Sequence, residues 1–254
     1  MVTGAYTVLA LEFRGVGDRA DFGFLTREVD GVDLTRVDPL VHHVEQPLGL
    51  AEQASLLAEA LPNAPALVLA YCGTAALALH VAELTGAPSL LVDPYPVTAD
   101  DMRRDFIGLC ESTGVDPTGL VDPAADPDPA RWAKELYRAR DAMAAPHGGD
   151  DVAYELVDDM LDRYRAWLRF LQASRSAAPA APGGAVTAIT ARPDPRLGLL
   201  LVDSGVAQVH RVEGGAGILD SPEVRGLLAA TVERHRPASD APGEPAAVDF
   251  RDGG

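Results

Sequence analysis

Cys72 stands at the end of a short, continuous apolar run, Ala66-Leu-Val-Leu-Ala-Tyr-Cys72. Gly73, Thr74 and a helical stretch from Ala75 to Leu84, stopped by Gly86, follow at once. Such a run reads as a strand buried on both faces. A sharp strand-to-helix turn displays the residue at its apex. It needs small side chains two positions to either side, because strand and helix approach closely there. Ala70 and Thr74 meet that need. The position suits a nucleophile. N–H groups without partners at the start of the helix carry partial positive charge, which favours the reactive thiolate. The Gly73 N–H points where an oxyanion would form, and Gly15, in Arg14-Gly-Val-Gly17, offers a second donor. The alternative is a small buried cysteine that closes a strand. Cys110, on the apolar face of a helix, reads that way.

A second candidate lies on the next strand. Ser89-Leu-Leu-Val-Asp93 is again a buried apolar run, ended by Pro94. Strand, helix and strand at this spacing form a βαβ unit, which implies a parallel sheet. Asp93 then lies on the same carboxyl-end rim as Cys72, where parallel sheets gather their sites. An Asp ahead of Pro is also a common way to start a turn.

The remaining elements complete an α/β chain with a mostly parallel sheet. The first strand is Thr7 to Phe13, and a weaker one is expected near Val41 to Glu45. A helix from Leu50 to Leu61 carries Leu50, Leu56, Leu57 and Leu61 on its apolar face. From Thr98 to Ser176 three helices are expected: about Ala99–Thr113, Pro129–Ala144 and Asp151–Ala173. The last shows Leu156, Met160, Tyr164, Trp167, Leu168 and Leu171 at helical spacing. This insertion, about 98–180, is placed where α/β enzymes carry a lid, or it covers the sheet, or it does both. Strands at Ala185–Thr190 and Gln208–Val212, a short helix near Leu197–Val202 and a closing helix from Pro222 to His235 follow. The reading is one domain over 1–236 and a Pro-, Ala-, Gly- and Asp-rich tail, 237–254, expected to be disordered.

Composition narrows the function classes. The chain has 254 residues, 47% of them hydrophobic, enough for one full core. A formal charge of −17 without a basic cluster argues against nucleic acid and anionic membrane as partners. Two cysteines far apart are no disulfide framework and point to a reducing cytoplasm. Met1 to Tyr6 holds no basic region followed by an apolar run, so no leader is expected, and no apolar stretch is long enough to span a membrane. Neither a metal-ligand spacing of histidines nor a phosphate-binding glycine loop is present, so no metal or cofactor is expected.

The segment Leu90-Leu-Val-Asp-Pro-Tyr-Pro96 resembles the thioesterase family of polyketide and nonribosomal peptide biosynthesis, within the α/β-hydrolase superfamily. Those domains carry an apolar strand ending in Asp, then one residue, Tyr and Pro. Their nucleophile lies in a G-x-S-x-G turn, here Ala70-Tyr-Cys-Gly-Thr74. The likeness spans most of residues 5–235 in layout but only short motifs in identity. It implies an α/β-hydrolase-like sheet with a helical lid insertion, with Cys72 as nucleophile and Asp93 as the triad acid. Asp194, in Ala191-Arg-Pro-Asp-Pro195, occupies the place of the acid in stand-alone editing thioesterases and competes with it. The implied substrate is an acyl thioester presented on a phosphopantetheinyl carrier, so the implied partner is an acyl or peptidyl carrier protein.

The family's histidine follows the last strand. Val212-Glu-Gly-Gly-Ala-Gly-Ile-Leu219 matches that layout with Ala216 in its place. Serine without a base is nearly inert, whereas a cysteine of pKa near 8.5 is already about a few per cent thiolate. The two departures are therefore chemically consistent. His210, on the last strand, and His147, in a loop of the insertion, are alternates for the base. His80 lies two helical turns below the apex. His42 and His43 neighbour a strand, and one of them can face inward. His235 is on the closing helix. Two functions follow: a cysteine-dependent thioesterase or acyltransferase, or a degenerate relative that binds an acyl chain or carrier protein without turnover.

Overall fold

A computed structural model describes residues 6–13, 21–181, 183–191, 197, 207–213 and 217–236. Gly15, Asp194, Ala216, all but Leu197 of the helix expected near Leu197–Val202, and the tail lie outside the described residues. Among the described residues six strands form one sheet: β1 (Tyr6–Leu11), β2 (Val32–Val37), β3 (Leu67–Tyr71), β4 (Ser89–Val92), β5 (Val186–Thr190) and β6 (Ala207–Arg211). Their order is β2-β1-β3-β4-β5-β6, and all five pairings are parallel.

The helices are α1 (Leu25–Glu28), α2 (Leu50–Ala60), α3 (Ala75–Thr85), α4 (Ala99–Thr113), α5 (Pro129–Arg138), α6 (Arg140–Ala144), α7 (Asp151–Ser176) and α8 (Pro222–Arg234). Alternation along each strand sends side chains to opposite faces. Val8, Ala10, Leu67, Leu69, Leu90 and Val92 meet α1 and α8 through Leu25, Val224, Leu228 and Val232. Leu9, Leu11, Val68, Ala70 and Leu91 meet α2, α3 and α7 through Leu57, Leu77 and Phe170. The result is a three-layer α/β/α arrangement with both sheet faces covered, as the apolar strands require.

The inserted helices have a core of their own. Phe106 of α4 stacks on Trp132 of α5 at 4.5 Å between ring centroids, and Val157, Leu161, Leu168 and Leu171 of α7 complete the cluster. Ala166 and Phe170 turn to the sheet instead. α7 thus covers the sheet and anchors the insertion.

Three local expectations are corrected. The strand expected at Val41–Glu45 is a 3-10 helix, Pro39–His43, capped by Asp38, whose Oδ1 accepts the Leu40 N–H at 3.1 Å. The strand is Val32–Val37 instead, a half-exposed edge with polar residues among its apolar ones. The helix expected over Pro129–Ala144 breaks at Ala139 into α5 and α6. In α2 and α7 the apolar stripe is rotated: Leu56 and Leu156 are exposed, while Gln53 and Val157 are buried. Gln53 is held by donating to the Pro39 carbonyl at 2.6 Å.

Candidate active site

β3 and β4 run side by side, with Tyr71 in register with Val92. Cys72 and Asp93 are therefore the next residues on the same rim, about one strand spacing (~5 Å) apart. Among the described residues they are also the only non-glycine positions with positive φ, +58° at Cys72 and +46° at Asp93. A left-handed backbone costs a residue with a Cβ roughly 1–2 kcal/mol, so each turn must be held by its surroundings.

Thr74 holds the first turn. Its hydroxyl accepts the Tyr71 N–H at 3.1 Å and lies 3.0 Å from the Leu11 carbonyl and 2.9 Å from that of Tyr71, one of which takes its proton. This ties the turn after β3 to the end of β1. Cys72 opens a 3-10 turn, Cys72–Thr74, that runs straight into α3, so the Gly73 N–H belongs to a first turn whose amides lack intrahelical acceptors. The second turn is held by the Asp93 N–H, which donates to the Ile189 carbonyl at 2.7 Å, and by Thr190, whose hydroxyl donates to Asp93 Oδ1 at 3.3 Å.

Tyr95 completes the arrangement. Its hydroxyl faces the Cys72 side chain, which acts on it electrostatically, and lies 3.4 Å from where a Cβ on Gly73 would stand, with the Phe13 ring 4.0 Å away on the same spot. Burial, then the charge of Cys72, then the carboxylates of Asp105 and Asp101 hold the Tyr95 phenol well above the ordinary tyrosine range. It stays protonated and can donate to a thiolate. Asp105 accepts the Trp167 indole N–H at 3.1 Å, and burial pushes its carboxyl upward. Trp167 and Phe170 enclose Phe13 edge-to-face at 4.7 and 5.2 Å. Tyr95 sits three residues past the strand end, inside the Asp-Pro-Tyr-Pro run, but its place beside the Cys72 turn becomes visible only once β3 and β4 are adjacent. Asp105 has a sequence signal of its own: it is an acid beside the apolar face of α4 that carries Met102, Phe106 and Cys110.

The histidines have settings of their own. His43 is fully buried, with Nε2 3.2 Å from Gln53 Oε1, and burial pushes its pKa down. His80 is buried on α3 with Nδ1 3.8 Å from Glu83. His147 is exposed in a 3-10 turn, His210 is exposed on the edge strand β6, and His235 follows α8 half-buried. No cluster among the described residues could hold a metal ion. No helix among them is long and apolar enough to cross a membrane.

Cys110 is wholly buried and its thiol is pushed up to about 11 by burial. Iodoacetamide at pH 8 is therefore expected to modify one cysteine, with peptide mapping locating the label at Cys72. Equal labelling of Cys110 would contradict this geometry.

No protein-family model matches the chain, and no curated protein sequence is significantly similar to it. Solved structures are similar in architecture. The NocB thioesterase domain, determined in covalent complex with a fluorophosphonate nocardicin G analogue, superposes with a TM-score of 0.53 at 20% identity, covering 92% of this chain and 95% of that one. The chain has an α/β-hydrolase fold. RedJ thioesterase from the prodiginine pathway of Streptomyces coelicolor superposes at 0.51 with 15% identity, over 91% of each chain. A hydrolase from Oleispira antarctica does so at 0.50 with 14% identity, over 91% of this chain and 92% of its own. In this chain the turn after β3 is occupied by Cys72.

Proposed function

We propose that the protein is an acyl-transfer enzyme that takes an acyl group from a carrier-bound thioester onto Cys72. The observation that carries this reading is the strained backbone of Cys72 at a strand-to-helix apex, with the Tyr95 hydroxyl beside Gly73 in the same turn. The structural likeness to thioesterases supports the substrate class. In the first step the Cys72 thiolate attacks the thioester carbonyl. The oxyanion that forms faces the Gly73 N–H, and its collapse expels the donor thiol as thiolate, which takes a proton from solvent. One thioester replaces another, so the step is nearly neutral in free energy.

The second step discriminates between acceptors. Water needs a base to become nucleophilic, and the histidines lie in the settings described above. A neutral amine needs none: its lone pair attacks, the Cys72 thiolate departs and the surplus amine proton passes to solvent. Asp93 orients the rim in this scheme. With an acyl thioester and a primary amine supplied together, the amide is expected to exceed the free acid, as read by chromatography of the products. Free acid formed at the same rate with and without amine would overturn the amine preference. A second reading, binding of an acyl chain or carrier without turnover, is favoured by Ala216 at the histidine position of the resemblance. It predicts retention of the intact thioester.

A further inference from the structure

Helix α7 carries two different faces. At roughly 100° per residue, Trp167 and Phe170 turn toward Phe13 and the Cys72 rim, while Arg165, Arg169 and Ala173 turn the other way. That second face, with α5 and the Pro47–Gly49 segment ahead of α2, encloses a cavity of about 830 Å³. Cys72, Gly73, Asp93 and Tyr95 do not line it. Its size is that of a small-ligand pocket, about 300–1,000 Å³.

Leu48, Ala133 and the ring of Tyr137 give the cavity an apolar wall, while Lys134, Arg165 and Arg169 give it cations. Arg165 is answered by Asp162 at 2.9 Å. Arg169 donates to the main-chain carbonyls of His43 at 2.8 Å and Val44 at 3.0 Å, and among the described residues no carboxylate pairs with it. Lys134 likewise has no ion pair among the described residues. The acid on the wall, Asp128, is engaged as the cap of α5, accepting the Arg131 N–H at 3.0 Å. Burial, then the neighbouring Arg165, press the Arg169 pKa downward, and the carboxylate of Asp162 opposes them only in part. Arg165 Nε and Gln172 Oε1, both on lining side chains, are buried without a hydrogen-bond partner, although buried polar atoms are normally satisfied. Two cations without an ion pair among the described residues, beside an apolar wall, are unexpected in a chain of net charge −17.

We propose that this groove is a second binding site, for a small amphipathic anion. A carboxylate or phosphate head lies against Arg169 and Lys134, and an apolar chain lies along Leu48, Ala133 and Tyr137. The site does not depend on the chemistry assigned to Cys72.

Calorimetric titration of the full chain with decanoate, decyl phosphate and decanol tests it. One or both anions bind, about tenfold or more tightly than decanol, the factor expected of a charge-assisted hydrogen bond. Which anion binds distinguishes a carboxylate from a phosphate head. Lys134→Glu, at an exposed position, weakens that binding about tenfold. Ala173→Trp fills the groove and abolishes it, and Cys72→Ala leaves it unchanged. Failure of both anions to bind overturns the proposal, as does equal affinity for decanol or loss of binding in Cys72→Ala. Where Ala173→Trp does not fold, as judged by circular dichroism, Lys134→Glu alone decides, and unchanged affinity there overturns it.

Discussion

Cys72→Ala is expected to abolish acyl transfer, and Cys72→Ser to retain at most about a thousandth of it. The asymmetry with ordinary serine hydrolases comes from the settings of the histidines. His43 is buried against Gln53 and Phe170, His80 lies beside Glu83 on α3, and His147 and His210 are exposed. On this account a serine hydroxyl at the apex draws on none of these imidazoles, and its alkoxide is scarce at neutral pH. A thiol needs less help. The readout is the rate of thiol release from an acyl thioester, followed with a thiol-reactive dye against an enzyme-free control. A serine variant as fast as the native chain would mean that a base operates at the site, and the thiol-specific account would fail.

Tyr95→Phe is expected to slow alkylation of Cys72 about three- to tenfold at neutral pH. A hydrogen bond to a charged partner contributes about 1.5–3 kcal/mol. Part of that gain in thiolate is offset because a less basic thiolate is a weaker nucleophile, which is why the effect stays within one order of magnitude. Acyl transfer should fall by more, since the same bond also stabilises Cys72 as a leaving group in the second step. The phenol has its own pH signature. Its pKa in the folded chain is raised by burial and by the surrounding Cys72, Asp105 and Asp101 charges. The unfolded chain therefore loses that proton first. The resulting stability is fully present below pH ~10 and is lost as pH rises toward the folded value. In Tyr95→Phe the alkaline decline in the denaturation midpoint should be shallower. An unchanged alkylation rate together with an unchanged alkaline slope would remove Tyr95 from the site.

How far these features are legible in the sequence depends on what each residue must satisfy. Leu67 to Tyr71 and Ser89 to Val92 are buried on both faces, so their composition alone announces strands, and the small residues around Cys72 announce the turn. β2 is harder. It is an edge with Asp33, Thr35 and Arg36 in it, while the more apolar Val41 to Val44 segment follows a capping Asp38 and Pro39 that close a helical turn. The rotated stripe of α2 has a tertiary cause: the buried Gln53 bridges the Pro39 carbonyl and His43. Asp93 is readable as a strand-end acid. The positive φ it shares with Cys72 is not, because only the register of β3, β4 and β5 sets it. Tyr95 is readable as part of a motif but not as the partner of Cys72, since that contact joins two strand ends more than twenty positions apart. The alternate acid Asp194, Ala216 at the histidine position of the resemblance and the second oxyanion donor at Gly15 fall outside the described residues.

The central claim is that Cys72 carries the acyl group. Its most direct test is the intact mass of the full chain after brief exposure to a short-chain acyl thioester, followed by peptide mapping. The account predicts one added acyl group per chain, located on Cys72 and absent from Cys72→Ala. An unmodified chain, or an acyl group that persists in Cys72→Ala, would contradict it.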